Sequence, residues 1–115
     1  MGYPQVYTLD EYQKQAVSTL ICPEKDRLYY LAMQLCAEAG EVAGKIAKKI
    51  RKGSQDTFSA EELRDLDREL GDALWYIAVM ADELKIRLST VANENLDKLQ
   101  DRKARGVLHG NGDNR

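Results

Sequence analysis

The chain has 115 residues, 43% hydrophobic and 31% charged, which suits one globular domain with a thin core and excludes a disordered chain. Its 17 basic and 19 acidic residues leave a formal net charge of −2, so neither a nucleic-acid coat nor a polybasic membrane binder is expected. Charges interrupt every apolar run, so no transmembrane span is expected, and the polar stretch from residue 1 to 20 does not read as a signal peptide. Cys22 and Cys36 form no Cys-x-x-Cys pair. A reduced, cytoplasmic setting is therefore expected, with Cys36 as a small core residue.

Thr8-Leu9-Asp10-Glu11 has the form of a capping box and predicts a first helix from Leu9 to about Leu20, ending before Pro23. A second helix is predicted from Asp26 or Arg27, carrying Leu28, Leu31, Leu35, Ala39, Val42, Ile46 and Ile50 as one apolar stripe. Lys48, Lys49, Arg51 and Lys52 favour its C-terminal dipole, and Gly53 ends it. After the loop at 53–59, Ser59-Ala60-Glu61-Glu62 repeats the capping box. A third helix then carries Leu63, Leu66, Leu70, Leu74, Ile77, Ala81 and Leu84 as its apolar stripe. Ser89 or Thr90 is the expected cap of a fourth helix, with Val91, Leu96 and Leu99 as apolar positions. The text from Gly106 onward is too rich in Gly and Asn for regular structure. The organisation predicted is a single all-α domain over 1–105, bundle-like with short loops, and a Gly-rich tail over 106–115 that is either disordered or a flap.

Two carboxylate couplets stand out within this pattern, Glu38 with Glu41 and Glu69 with Asp72. Residues three apart are neighbours on a helix surface, so each couplet aims two acids in one direction. The couplets lie at similar distances before and after the loop centre near Asp56, so an antiparallel hairpin sets them level. Singly, each couplet reads as a solvated helix face; four together at the edge of a core repel one another unless a cation intervenes. Oxygen donors with no histidine suit Mg²⁺, with Mn²⁺ possible. A Glu-x-x-His metal centre is excluded, since His109 is the one histidine and lies in the tail. An incomplete carboxylate cage leaves positions for phosphate oxygens and water. Lys98 and Arg102, with Asn95 on the same face, are candidates to hold the phosphates, and Lys45 is a second candidate one turn beyond Glu41.

Glu38-x-x-Glu41, a gap over 42–68, then Glu69-x-x-Asp72 resembles the ExxE…ExxD signature of the all-α nucleoside triphosphate pyrophosphohydrolases, and within them the MazG-like branch. Asn95-x-x-Lys98-x-x-x-Arg102, continued by Arg105-Gly106, is similar to that family's NxxKxxxR pattern. The likeness spans residues 28 to 106. It implies Mg²⁺-dependent hydrolysis of a (deoxy)nucleoside triphosphate to the monophosphate and pyrophosphate, in nucleotide-pool house-cleaning. Glu38, Glu41, Glu69 and Asp72 would be the metal ligands, with Glu38 favoured as general base. Asn95, Lys98 and Arg102 would hold phosphates or sugar. The resemblance also implies a homodimer or a dimer of dimers, with a nucleotide rather than a nucleic acid or membrane as partner. Alternatives are the dUTPase or phosphoribosyl-ATP pyrophosphatase activity of the same superfamily, or a non-catalytic helical interaction module.

Several neighbouring residues carry two readings each. Glu62 and Asp65 share the stripe of Glu69 as surface acids or as supports for the site. Lys98 and Arg102 either hold substrate or pair with Asp97 and Asp101. Trp75 and Tyr76 stack on a base or pack in the core or a dimer interface, and Tyr12, Tyr29 and Tyr30 are equally open.

Overall fold

The computed structural model describes residues 5–110 and 112–113, which form four helices. These are α1 (Leu9–Ser18), α2 (Arg27–Arg51), α3 (Ala60–Glu83) and α4 (Leu88–Ala104). Residues 1–4, which belong to the reading against a signal peptide, and Asn111, Asn114 and Arg115 of the tail lie outside the described residues. The fold class is all-α, as expected. Among the described residues no helix is long and apolar enough to cross a membrane.

Both predicted capping signals form. The Thr8 hydroxyl accepts from the Glu11 N–H at 3.0 Å, while the Glu11 carboxylate accepts from the Tyr7 N–H at 2.8 Å. At α3 the box is reciprocal: Ser59 Oγ accepts from the Glu62 N–H at 3.0 Å and Glu62 Oε1 accepts from the Ser59 N–H at 2.9 Å. Helix α1 stops at Ser18, two residues before the predicted end, where the Thr19 N–H returns to Ala16 O and the Leu20 N–H to Val17 O, each at 3.0 Å. Gly53, at φ 67°, supplies the left-handed residue that closes α2.

The start of α4 differs from its prediction. Neither Ser89 nor Thr90 is the cap; Arg87 is, without a side-chain bond, and both hydroxyl residues lie in the first turn. Asp10 of α1 does the capping instead. Its carboxylate accepts from the Ser89 N–H at 3.0 Å and from the Ser89 hydroxyl at 2.7 Å. A free helix N–H is thus satisfied from another helix.

Helices α2 and α3 form an antiparallel hairpin whose rungs are visible in the ion pairs Lys49–Glu62 at 2.9 Å and Lys45–Glu69 at 3.8 Å. Helix α1 packs on α3 and reaches α4. No Cα of α2 comes within 8 Å of α1 or α4, so the bundle is open on that side. Ala16, Leu31, Ala78, Val79 and Leu88 make the buried core, with Tyr12, Val17, Leu20, Trp75, Tyr76 and Met80 packed around it. Buried Gln13 stitches three elements: its amide donates to Ala78 O at 3.1 Å and Ile86 O at 3.0 Å, and its Oε1 accepts from the Leu88 N–H at 2.9 Å. All of its bonding groups find partners, which offsets the cost of burying an amide.

Two expectations about the core are corrected. Cys36 is exposed rather than buried, because it lies off the face of α2 that meets α3. The apolar stripe of α3 is only partly used: Leu63, Leu70, Leu74, Ile77 and Leu84 are exposed, Leu63 at 55% and Leu70 at 58%. One chain does not supply the layer these side chains need.

Candidate metal centre and adjoining grooves

The hairpin register brings Glu38, Glu69 and Asp72 together. One carboxylate oxygen from each lies within 4.8 Å of the others. Glu38 and Glu69 are partly buried and Asp72 is exposed, so the cluster sits at the rim of the α2–α3 seam. Burial pushes the Glu38 carboxyl above its ordinary 4.5. The hydrogen bond to Glu69 and the charges of Asp72, Glu69 and Glu41 push it further the same way. Glu41 is exposed and stands outside the tight group, yet its charge is felt at Glu38. Three of the four acids singled out by spacing therefore converge, and the fourth flanks them one turn along α2.

Two tyrosines enter this field that spacing alone did not assign. Burial, and then the Asp72 charge, raise the Tyr12 hydroxyl above its ordinary 10.0. Burial also raises Tyr76, followed by Tyr30, Glu38, Asp72 and Cys22. Helix α1 thus carries Tyr12 within the field of Asp72. Trp75 meets Tyr76 edge to face at 4.9 Å between centroids. Its indole N–H is committed to Thr19 Oγ1 at 2.8 Å and Ala16 O at 3.2 Å, so Trp75 is a fixed packing residue whose one donor is already used.

Three grooves lie near the acids. One, of about 400 Å³, is lined by Glu41 with Gly40, Gly44, Lys45 and Lys48. Another, of about 530 Å³, is open and is lined by Cys22, Pro23, Tyr30, Trp75 and Tyr76 among others. The third, of about 270 Å³, lies toward the α2–α3 loop and is lined by Lys45, Lys48, Lys49, Lys52 and Phe58 with Glu61, Glu62 and Asp65. Along α2 the positions 38, 41, 45, 48 and 52 step by three and four, so one face passes from acids to lysines. Lys45 Nζ, 3.8 Å from Glu69 Oε1, stands at the changeover. Glu62 supports the hairpin end, where it pairs with Lys49, and Asp65 pairs with Arg68 at 3.4 Å.

The α4 candidates are not brought to the acids within one chain. Asn95 is exposed, and α4 does not approach α2. Lys98 and Arg102 turn instead to the tail, where Asp113 accepts from both. The alternative pairing with Asp97 and Asp101 does not form either: Asp101 takes Arg105 at 2.8 Å.

The molecule is an all-α domain whose central hairpin brings three carboxylates together. Residues 29–107 match the MazG nucleotide pyrophosphohydrolase domain, and the chain belongs to that family. It is 45% identical over 113 residues to the "Gene 37 protein" of Mycobacterium phage L5, a match covering 93% of this chain and 98% of that protein. No solved structure matches the chain.

Proposed function

We propose that the chain hydrolyses (deoxy)nucleoside triphosphates to the monophosphate and pyrophosphate at the Glu38–Glu69–Asp72 cluster, in nucleotide-pool house-cleaning. The observation that carries this reading is the convergence of three carboxylates within 4.8 Å on the hairpin of a MazG domain. The donor set fits a hard divalent cation. It is all oxygen, Glu38 and Glu69 are partly buried, and burial and then the neighbouring acids raise Glu38. Glu38, Glu69 and Asp72 would hold Mg²⁺ or Mn²⁺, with Glu41 as the flanking ligand. When bound, the cation neutralises phosphate oxygens and polarises water.

The chain's own groups supply the rest. Glu38 takes the proton of the attacking water. As that water's oxygen bonds to phosphorus, the bond to the departing pyrophosphate breaks. Lys45 balances phosphate charge beside Glu69. Tyr12 and Tyr76 lie within the field of the acids. The aromatic groove of Tyr30 and Tyr76 receives the base, for which a ring face is the natural surface.

Homodimerisation completes this reading. The exposed leucines of α3 need a second layer, and a second copy provides one. The partner's α4 then brings Asn95, Lys98 and Arg102 to the phosphates, which α4 of the same chain does not reach. The test is pyrophosphate release from a panel of ribo- and deoxyribonucleoside triphosphates with Mg²⁺, for the parent protein and for Glu41→Ala and Asp72→Ala. Activity in the parent and its loss in both variants are expected. A silent parent overturns the reading, and unchanged variants overturn the site. The same panel, extended to dUTP and phosphoribosyl-ATP, fixes the substrate.

A further inference from the structure

The Gly-rich tail does not hang free over its described length; it doubles back on α4. Gly106, at φ 74°, ends the helix, and the Val107 N–H returns to Arg102 O at 2.9 Å. Gly110 N–H bonds to Val107 O at 3.1 Å, and Gly112, at φ 78°, makes the last turn before Asp113. That path sets the Asp113 side chain on the face of α4 where Lys98 and Arg102 sit one turn apart. Asp113 Oδ1 accepts from Lys98 Nζ at 3.2 Å and from Arg102 Nη2 at 3.1 Å, and Arg102 Nη2 also donates to Asp113 O at 2.8 Å.

We propose that Asp113 is a built-in plug, a carboxylate that occupies the Lys98–Arg102 seat until a substrate phosphate displaces it. The inference rests on the reading of Lys98 and Arg102 as phosphate-holding residues.

The asymmetry of burial carries the argument. Arg102 is 3% exposed, whereas the Asp113 side chain is 80% exposed. The cation is built into the surface and the anion lies on top of it, so the anion can leave without opening the core. A buried guanidinium needs acceptors, and a single carboxylate leaves Arg102 Nε without a partner among the described residues. A phosphate chain brings more oxygens and more charge to the same donors. The hydrogen bonds from Arg102 and then Lys98 hold the Asp113 carboxyl below its ordinary 3.8, as expected of an anion seated on cations. A short tether keeps this internal ligand at an effective concentration on the order of millimolar. Exposed pairs are weak enough that a polyphosphate at cellular concentration competes.

The test is calorimetric titration of the full chain with inorganic pyrophosphate, comparing the parent with Asp113→Asn and with a chain ending at Gly110. Removing the plug removes a competitor, so both variants should bind pyrophosphate roughly threefold to tenfold more tightly. In a Lys98→Ala background the gain from Asp113→Asn should shrink, because Arg102 alone then holds both anions. In triphosphate hydrolysis Asp113→Asn and the chain ending at Gly110 should lower KM and leave kcat unchanged. Equal pyrophosphate affinity in parent and variants overturns the plug, as does a gain of the same size with and without Lys98. A fall in melting temperature with unchanged affinity makes Asp113 a structural strut and overturns it as well. If the parent hydrolyses no triphosphate, the proposed function fails, yet the pyrophosphate titration still decides the plug.

Discussion

Glu38 and Glu69 face each other across the α2–α3 hairpin, each with a carboxylate oxygen within 4.8 Å of the other's. Two carboxylates that close repel when both are ionised. Asp72 and Glu41 add charge to the same spot. The hairpin therefore stores a repulsion that a bound cation would relieve.

Asp72→Asn should raise the melting temperature of the metal-free protein slightly, because one member of the repelling cluster is gone and Asp72 holds no ion pair among the described residues. Adding Mg²⁺ should stabilise the parent, by about 2.7 kcal/mol at a hundredfold excess over its dissociation constant. The variant should lose most of that gain. Thermal melts with and without Mg²⁺ check both halves.

A shared site predicts complementation. Asp72→Asn removes a metal ligand and Lys98→Ala removes a phosphate contact, so each homodimer should be inactive. Mixed after partial unfolding and refolding, the two chains should regain activity, since half the dimers are mixed and about a quarter of all sites combine two intact halves. Sedimentation should show a dimer that Leu70→Asp, on the exposed stripe of α3, converts to monomer. Activity should fall in step with dimer content.

Gln13→Leu keeps the volume of a buried side chain but strands the Leu88 N–H and the Ile86 carbonyl. Unpaired buried groups cost about 1–3 kcal/mol each, so the variant should lose about 2–6 kcal/mol. Urea unfolding should show a lower midpoint with the same slope.

Acid should loosen the hairpin end through Glu62. The bond from the Ser59 N–H, and next the bond from Lys49, hold its carboxyl down from 4.5 to about 2. A folded value below the unfolded one means that the stability it confers is complete above 4.5 and is lost as pH falls toward 2. Asp10 and Asp113 act in the same direction and Glu38 in the opposite one. The difference between the parent and Glu62→Gln therefore isolates the effect: the gap in melting temperature should shrink between pH 4.5 and 2.

Much of this architecture is written locally in the chain. The N-cap at Thr8, the full capping box at Ser59 and the closing Gly53 are each decided by residues within a turn; at Thr8 the expected box stays half formed, because Glu11 accepts from the Tyr7 N–H instead. The level placement of Glu38 with Glu69 and Asp72 needed only helix rise and a short loop. What spacing did not reveal depends on distant partners. Ser89 is drawn from cap duty by Asp10, and Gln13 looks like an ordinary polar residue until Ala78, Ile86 and Leu88 surround it. Cys36 and the α3 leucines are exposed because a period of three and four says which side chains share a face, but not how much of that face one chain covers. Tyr12 joins the acids through the packing of α1, which no local pattern encodes.

The most direct test of the central claim is the product of the reaction. Purified chain, Mg²⁺ and a mixture of nucleoside triphosphates followed by ³¹P NMR should yield the monophosphate and pyrophosphate in equal amounts, with no early orthophosphate. Asp72→Asn should slow the reaction on the order of a hundredfold. Release of orthophosphate and a diphosphate, or no turnover of any triphosphate by the parent, would contradict the account.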